Sequence, residues 1–343
     1  MLTQAAPARP RRILIVSDAW QPQVNGVVRT LATTCAELTA MGHVVEVIGP
    51  DRFHTIPCPS YPEIRLALFP ARRLARLIVA FAPDSLHIAT EGPLGIAARA
   101  WARRHGGSFT TAFHTRFAEY LQARTGIPPR FTYAWLRRFH GAGRGIMVAT
   151  PSLRAELVTR GFANVLAWSR GVDLDLFRPE PREEWGLPRP VFLYVGRVAI
   201  EKNIGAFLDL DLPGSKVVVG GGPQLEALRR AYPSVTFTGP RFGTGLARTY
   251  AGADAFIFPS LTDTFGLVLL EALACGTPVA AFPATGSKDI ITDPRIGAVD
   301  ADLRAAALRA LGADRAACRA HAERFPWRAT AEAFLAHLVP LEG

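Results

Sequence analysis

The sequence predicts an α/β protein made of two doubly wound, parallel-sheet domains, and three observations carry that expectation. Short runs rich in Val, Ile, Leu and Phe alternate with helical patterns almost from end to end. The runs are continuously apolar rather than alternating, as strands are when helices cover both faces of a parallel sheet. The alternation is interrupted once, by a segment dense in proline and charge, SRGVDLDLFRPEPREEWGLPRP (169–190), and then restarts. A chain of 343 residues, 49% of them apolar, is long enough to bury two such cores.

In chain order, ILIVS (13–17) reads as a strand, VVRTLATTCAELTAMG (27–42) as an amphipathic helix ending at its glycine, and VVEVIG (44–49) as the next strand. RLALF (65–69), SLHIA (85–89), FTTAF (109–113) and IMVAT (146–150) are the further strands of the first sheet. The second half contributes VFLYV (191–195), KVVVG (216–220), TFTG (236–239), AFIFP (255–259) and PVAAF (278–282). No repeat or low-complexity tract interrupts either half.

The balance of 39 Lys plus Arg against 29 Asp plus Glu gives a net charge of +10, which favours an anionic partner: a nucleotide, nucleic acid or lipid headgroups. No nucleic-acid-binding motif accompanies the charge, so nucleic acid is not the expected partner. The four cysteines, Cys35, Cys58, Cys275 and Cys318, have neither disulfide-framework nor metal-ligand spacing, so a reduced, cytoplasmic setting is expected. The basic N-terminal MLTQAAPARPRR precedes an apolar run too short for a signal peptide, and no run approaches the length of a membrane span.

In sheets of this kind, ligands bind at the carboxyl edge of the strands. In the second half those edges carry Gly196, Arg197, Glu201, Lys202 and Asn203 after VFLYV, the turn Gly220, Gly221, Gly222, Pro223 after KVVV, and Asp263, Thr264, Phe265, Gly266 after AFIFP. Two cations, a glycine-rich turn and helix N-termini converging on one edge describe a diphosphate site. Glu271 sits in a helix that is otherwise apolar all the way round, Leu267 to Ala274. A buried carboxylate demands a hydrogen-bonding partner, and the hydroxyls of a ribose are the expected one. Asp173-Leu-Asp175 and Asp209-Leu-Asp211 imitate a metal-binding Asp-x-Asp, but one lies in the linker and the other in a short helix; no metal is expected.

These motifs together resemble glycosyltransferase family 4, the retaining enzymes of the GT-B fold with two Rossmann-like domains facing across a cleft. The matching stretches stand in family order: QPQVNGVVRTL (21–31), HIATEGPLG (87–95), AFHTRFAEYL (112–121), SRGVD (169–173), GRVAIEKN (196–203), VGGGP (219–223) and DTFGLVLLEALACGTPV (263–279). The wording is closest to a branch of α-mannosyltransferases and of bacterial glycolipid glucosyl- or sulfoquinovosyltransferases. The resemblance implies an acceptor-binding domain over 1–175, a sugar-nucleotide domain over 176–323, and a final helix within 324–343 that crosses back to the first.

It also implies roles. Arg197 and Lys202 neutralise the diphosphate of a UDP- or GDP-sugar, with Gly26, Gly196 and Gly221 close by. Glu271 holds the ribose, and Asp263, beside Phe265, Gly266 and Leu267, contacts the sugar hydroxyls where the family usually has glutamate. His114 lies at the sugar's reactive face. Asn25-Gly26 replaces the family's common Gly-Gly. No carboxylate nucleophile is evident, so the resemblance suggests same-face attack with retention, without cofactor or metal.

For the acceptor, ARRLARLIVAF (71–81) and PRFTYAWLRRFHGAGR (129–144) mix arginine with large apolar residues at helical spacing. Either these are surface helices packed on their apolar faces, or Arg72, Arg73, Arg76, Arg130, Trp135, Arg137 and Arg138 form an interfacial surface for anionic lipid. The expected function is therefore hexosyl transfer to a membrane lipid such as diacylglycerol, at the cytoplasmic face of the inner membrane. Three alternatives stay open: GDP-mannose-dependent α-mannosyl transfer to a soluble or polysaccharide acceptor, nucleotide-sugar epimerisation on the same architecture, and a non-catalytic membrane- or sugar-binding module.

Overall fold

A computed structural model describes residues 9–58, 61–181 and 185–342. Residues 1–8 of the basic N-terminal stretch and 182–184 of the proline-rich linker lie outside the described residues. By contact density the chain divides into two compact units, Met1–Ala149 with Arg154–Ser169 and Arg328–Gly343, and Thr150–Leu153 with Arg170–Trp327.

The first stretch of chain runs β1 (Arg12–Val16), α1 (Gly26–Ala40), β2 (Val44–Ile48), β3 (Thr55–Cys58), β4 (Tyr61–Ala67), α2 (Ala71–Phe81), β5 (Ser85–Ile88), α3 (Pro93–Arg104), β6 (Thr110–Ala112), α4 (Phe117–Thr125), α5 (Pro129–His140), β7 (Gly145–Val148), α6 (Pro151–Thr159) and β8 (Val165–Ala167). Its main sheet is parallel throughout, in the order β2-β1-β5-β6-β7-β8. One face packs on α2, α3 and α5 through Leu74, Ile78, Leu94, Ala98 and Phe139. The other packs on Leu31 and Leu38 of α1 and on Trp168, Ala331 and Phe334. The last two belong to α14 (Trp327–His337), and the Trp168 indole N–H donates to the Thr330 carbonyl at 3.1 Å, tying that helix into this unit.

RLALF is not a strand of the parallel sheet. Residues 65–67 end β4, which pairs antiparallel with β3 in a separate two-stranded sheet. Phe69 has left the strand altogether, at φ +46° and 95% exposed. On α2 the apolar residues at helical spacing are the packing face: Leu74, Ile78 and Phe81 are buried, while Arg72, Arg73 and Arg76 are exposed.

The second unit continues with β9 (Val191–Val195), α7 (Gly205–Leu208), β10 (Ser215–Val219), α8 (Leu225–Ala231), β11 (Thr236–Gly239), α9 (Gly243–Gly252), β12 (Ala255–Phe258), α10 (Leu267–Ala274), β13 (Val279–Ala281), α11 (Thr285–Ile290), β14 (Gly297–Val299), α12 (Leu303–Ala310) and α13 (Arg315–Ala322). All six strands are parallel, ordered β11-β10-β9-β12-β13-β14. Strand order reverses between β9 and β12, and between β1 and β5 in the first sheet. Such reversals part the loops at the carboxyl edge and open a crevice there.

Candidate active site

The crevice of the second sheet is framed by the segments following β9, β10 and β12. The first two are zipped together: Val198 N–H donates to the Gly221 carbonyl at 2.8 Å and Gln224 N–H to that of Val198 at 3.1 Å. This closeness requires glycine at 220, where φ is +143° and a Cβ would collide with the Gly196 carbonyl oxygen. Gly221 is different, since a Cβ there would meet only the Pro240 ring at 3.9 Å, so protein packing does not account for the missing side chain. Arg197 follows β9, half-buried, and its carbonyl accepts the Tyr194 hydroxyl at 2.8 Å. Burial, with Asp263 and Glu201 nearby, holds that phenol well above its usual pKa, so it remains a neutral donor.

Lys202 and Asp263 meet. The ammonium lies 2.6 Å from Asp263 Oδ1, an ion pair whose side chains are 23% and 17% exposed. Asp263 Oδ2 is buried and has no hydrogen-bond partner among the described residues, and neither has the hydroxyl of Ser260, three residues earlier at the same edge. The loop carrying them is held by Asn203 to the Pro259 carbonyl, Thr262 to Glu201 and Thr285 to Asp263, at 3.1–3.2 Å. Phe265 is buried, and Gly266, at φ +86°, starts α10 with no side-chain cap. The first N–H groups of α10, beginning at Leu267, therefore need acceptors from elsewhere.

Glu271 lies in the second turn of α10, 3% exposed. The protein supplies a partner: Tyr250 of α9, itself fully buried, donates its hydroxyl to Glu271 Oε2 at 2.9 Å. The ribose hydroxyls expected at this carboxylate would therefore share it with a protein donor.

In the first unit, Asn25 caps α1, its Oδ1 accepting from Val27 N and Val28 N at 3.0 Å each, with exposed Gly26 as the first helical residue. The asparagine in place of glycine thus has a structural reason. His114 follows β6 and meets the edge of Trp168 at 5.7 Å. Arg130, Trp135, Arg137 and Arg138 of α5 are exposed, but Arg137 also donates to the Arg160 carbonyl at 2.9 Å.

Comparison with known proteins identifies the family and the fold. The family model described as Glycosyltransferase Family 4 matches residues 24–176, and that of Glycosyl transferases group 1 matches residues 189–314. A GDP-mannose-dependent alpha-mannosyltransferase of Mycobacterium tuberculosis is 32% identical over 313 residues, covering 83% of this chain and 82% of its own. This chain belongs to glycosyltransferase family 4. Another relative is sulfoquinovosyl transferase SQD2 of Arabidopsis thaliana, 29% identical over 96% of this chain and 73% of its own. Among solved structures, sucrose-phosphate synthase of Thermosynechococcus elongatus superposes with a TM-score of 0.72 at 21% identity, over 95% of this chain and 98% of that one. Anabaena HepE in complex with UDP and glucose gives 0.70 at 13% identity over the same shares. The chain is a glycosyltransferase of the GT-B fold.

Three groups of this glycosyltransferase escaped sequence reasoning. Tyr250 is one. Asp18, at the end of β1, accepts from Thr90, Leu94 N and Gly95 N at 2.9, 2.9 and 3.3 Å, and burial pushes its carboxyl up to about 6. Glu91 accepts from His140 Nε2 at 3.1 Å, while His140 Nδ1 meets Thr111 at 2.9 Å. Asp18 and Glu91 flank the strand-order reversal of the first sheet, so the edge rule that located the site in the second half would have found them too.

Proposed function

We propose that the chain transfers a hexosyl group, with retention and without a metal, from a nucleoside-diphosphate sugar to a lipid acceptor such as diacylglycerol, while resting on an anionic membrane surface at the cytoplasmic face of the inner membrane. The observation that carries the donor half is the Lys202–Asp263 pair beside the uncapped start of α10, with Asp263 Oδ2 buried and unpartnered. Left alone, such an oxygen costs about 1–3 kcal/mol, and a sugar hydroxyl would satisfy it. Arg197, Lys202 and the N–H groups at Gly266 and Leu267 stabilise charge on the departing diphosphate. Gly221 leaves room for it, and Glu271, steadied by Tyr250, takes the ribose. As the C1–O bond to phosphate breaks, the acceptor oxygen bonds C1 from the same face, and its proton passes to the phosphate oxygen. For Gly26 and His114 the proposed roles rest on the family resemblance.

The acceptor half rests on the exposed arginines of α2 and α5. Among the described residues no helix is long and apolar enough to cross a membrane. A second reading is α-mannosyl transfer from GDP-mannose to a soluble or polysaccharide acceptor, its donor and sugar being those named for the mycobacterial relative. One experiment separates them: UDP- and GDP-hexoses are offered with diacylglycerol in vesicles and with soluble saccharides, and product is read by mass and anomeric configuration. An α-glycolipid supports the proposal. A glycosylated saccharide with no glycolipid supports the second reading, and free nucleotide with no glycoside, or with an epimerised sugar, overturns both.

A further inference from the structure

Helices α2, α3 and α5 lie side by side on one face of the first sheet. Leu74, Leu94 and Phe139 share its core, and Arg99 of α3 donates to the carbonyls of Phe139 and Arg138 on α5 at 3.0 and 2.8 Å. Their sequences, ARRLARLIVAF, PLGIAARAWARR and PRFTYAWLRRFH, hold three arginines each and no acidic residue. Nine positive charges with no counter-charge on three adjoining helices make a continuous basic face, of which α3, with Arg103 and Arg104 exposed, is the middle. Exposed apolar groups are interspersed: Ile96 on α3, and Phe131 and Trp135 one turn apart on α5.

A groove of about 590 Å³ runs along α3 beside the start of α2. Its walls are small and apolar, Ala71 and Ala75 on one side and Ala97 and Ala100 on the other. Phe69 and Trp101 line it, with Arg72 and Arg104 beside them. One end reaches Pro93, next to the Glu91–Gly92 turn at the carboxyl edge of β5; the other reaches His105, stacked on Trp101 at 4.6 Å. Phe69 is held nearly fully exposed in a left-handed backbone conformation that phenylalanine adopts only at a cost. An apolar trough open to water, flanked by cations and ending at an exposed aromatic, matches an amphiphile with an anionic head.

We propose that this groove holds one acyl chain of an anionic phospholipid, with the lipid phosphate between Arg72 and Arg104 and Phe69 inserted among neighbouring chains. Charge complementarity selects that occupant: a neutral amphiphile leaves the exposed arginines without an anion, and an acidic protein segment leaves the trough empty. The proposal rests on the membrane reading above and deepens it by saying where the lipid sits.

The test uses vesicles of phosphatidylcholine with a minority of phosphatidylglycerol, the latter brominated along its acyl chains so that it quenches tryptophan on contact. The intact protein is compared with Trp101→Phe, Trp135→Phe, Ala97→Phe, which fills the groove, and Phe69→Asp, at a position too exposed to matter for folding. Quenching is expected to fall in both tryptophan variants. The Trp101 share is expected to disappear in Ala97→Phe while low-salt sedimentation persists, and Phe69→Asp is expected to lose the binding that survives high salt. Each arginine engaged should add about fivefold to partitioning at low ionic strength. If Trp101→Phe is quenched as fully as the intact protein while Trp135→Phe is not, the helices dock with the groove empty and the acyl-chain site is refuted, though the membrane reading stands. If the protein stays in the supernatant at low salt, both fall.

Discussion

Replacing Tyr250 by phenylalanine tests how Glu271 is held. The ring packs on Phe256 and Phe177, at centroid distances of 5.6 and 6.0 Å, and phenylalanine fills the same space, so the change is confined to one hydroxyl. That hydroxyl donates to a carboxylate 3% exposed. A hydrogen bond to a charged group contributes about 1.5–3 kcal/mol, and little water can replace the lost donor here. For a unit of this size that lowers Tm by roughly 3–12 °C. If Glu271 takes the ribose, loosening it should also raise the donor KM, and should do so far less in a Glu271→Gln background, where the carboxylate is already gone. Differential scanning calorimetry and donor titrations of the two single variants and the double variant give the coupling directly. An unchanged Tm with an unchanged donor KM would show that the hydroxyl neither stabilises the fold nor positions the carboxylate.

Asp263→Asn is expected to lower kcat chiefly, and Glu271→Gln to weaken donor binding; wild-type steady-state kinetics for both would remove the assignments. His114→Ala should reduce transfer strongly while nucleotide affinity, read by calorimetry, stays near wild type; unchanged transfer would leave the histidine a packing partner of Trp168 and no participant in transfer. Activity should survive EDTA, and full loss restored by Mn²⁺ would bring the acidic pairs back into question. One carboxylate of each pair already accepts from protein donors: Asp173 Oδ1 from Asp175 N and Leu176 N, and Asp209 Oδ1 from Tyr232. Asp18 carries a pH dependence. Its carboxyl is raised from 3.8 to about 6 on folding, so between these values the folded chain binds the extra proton and stability falls as pH rises, by about 3 kcal/mol in all. Asp18→Asn should therefore remove a decline in stability between pH 4 and 6, measured by urea unfolding, and a wild-type minus variant difference constant over that range would contradict it.

Continuous apolar runs made most strands legible, VFLYV and TFTG to the residue. What stayed hidden has physical reasons. β8 (VLA) and β14 (GAV) are three residues each, too short for any periodicity to register. RLALF has the composition of a buried strand, yet it pairs with an irregular neighbour that no local pattern announced. On α2 the sequence offered packing face and membrane face equally, because the same stripe of Leu74 and Ile78 serves either, and only burial decides. The glycines, Lys202 and Asp263 were readable because their spacing from strand ends is local. Tyr250 was not, since its meeting with Glu271 joins two helices 21 residues apart and needs tertiary packing.

The chain leaves its first unit at Ser169 and re-enters it at Arg328. Phe334 and Leu338 then complete the core against Trp168, and the strand of contacts continues to Leu341, whose N–H donates to Asp84 and whose carbonyl accepts from Ser108. On the ribosome the second unit is thus the one that can finish first, although its synthesis begins later, and the earlier half waits with one apolar sheet face covered only in part, by α1, until α14 emerges. A cut after Trp327 would therefore spare the second unit and unravel the one made of the opening residues, the reverse of what proximity along the chain suggests.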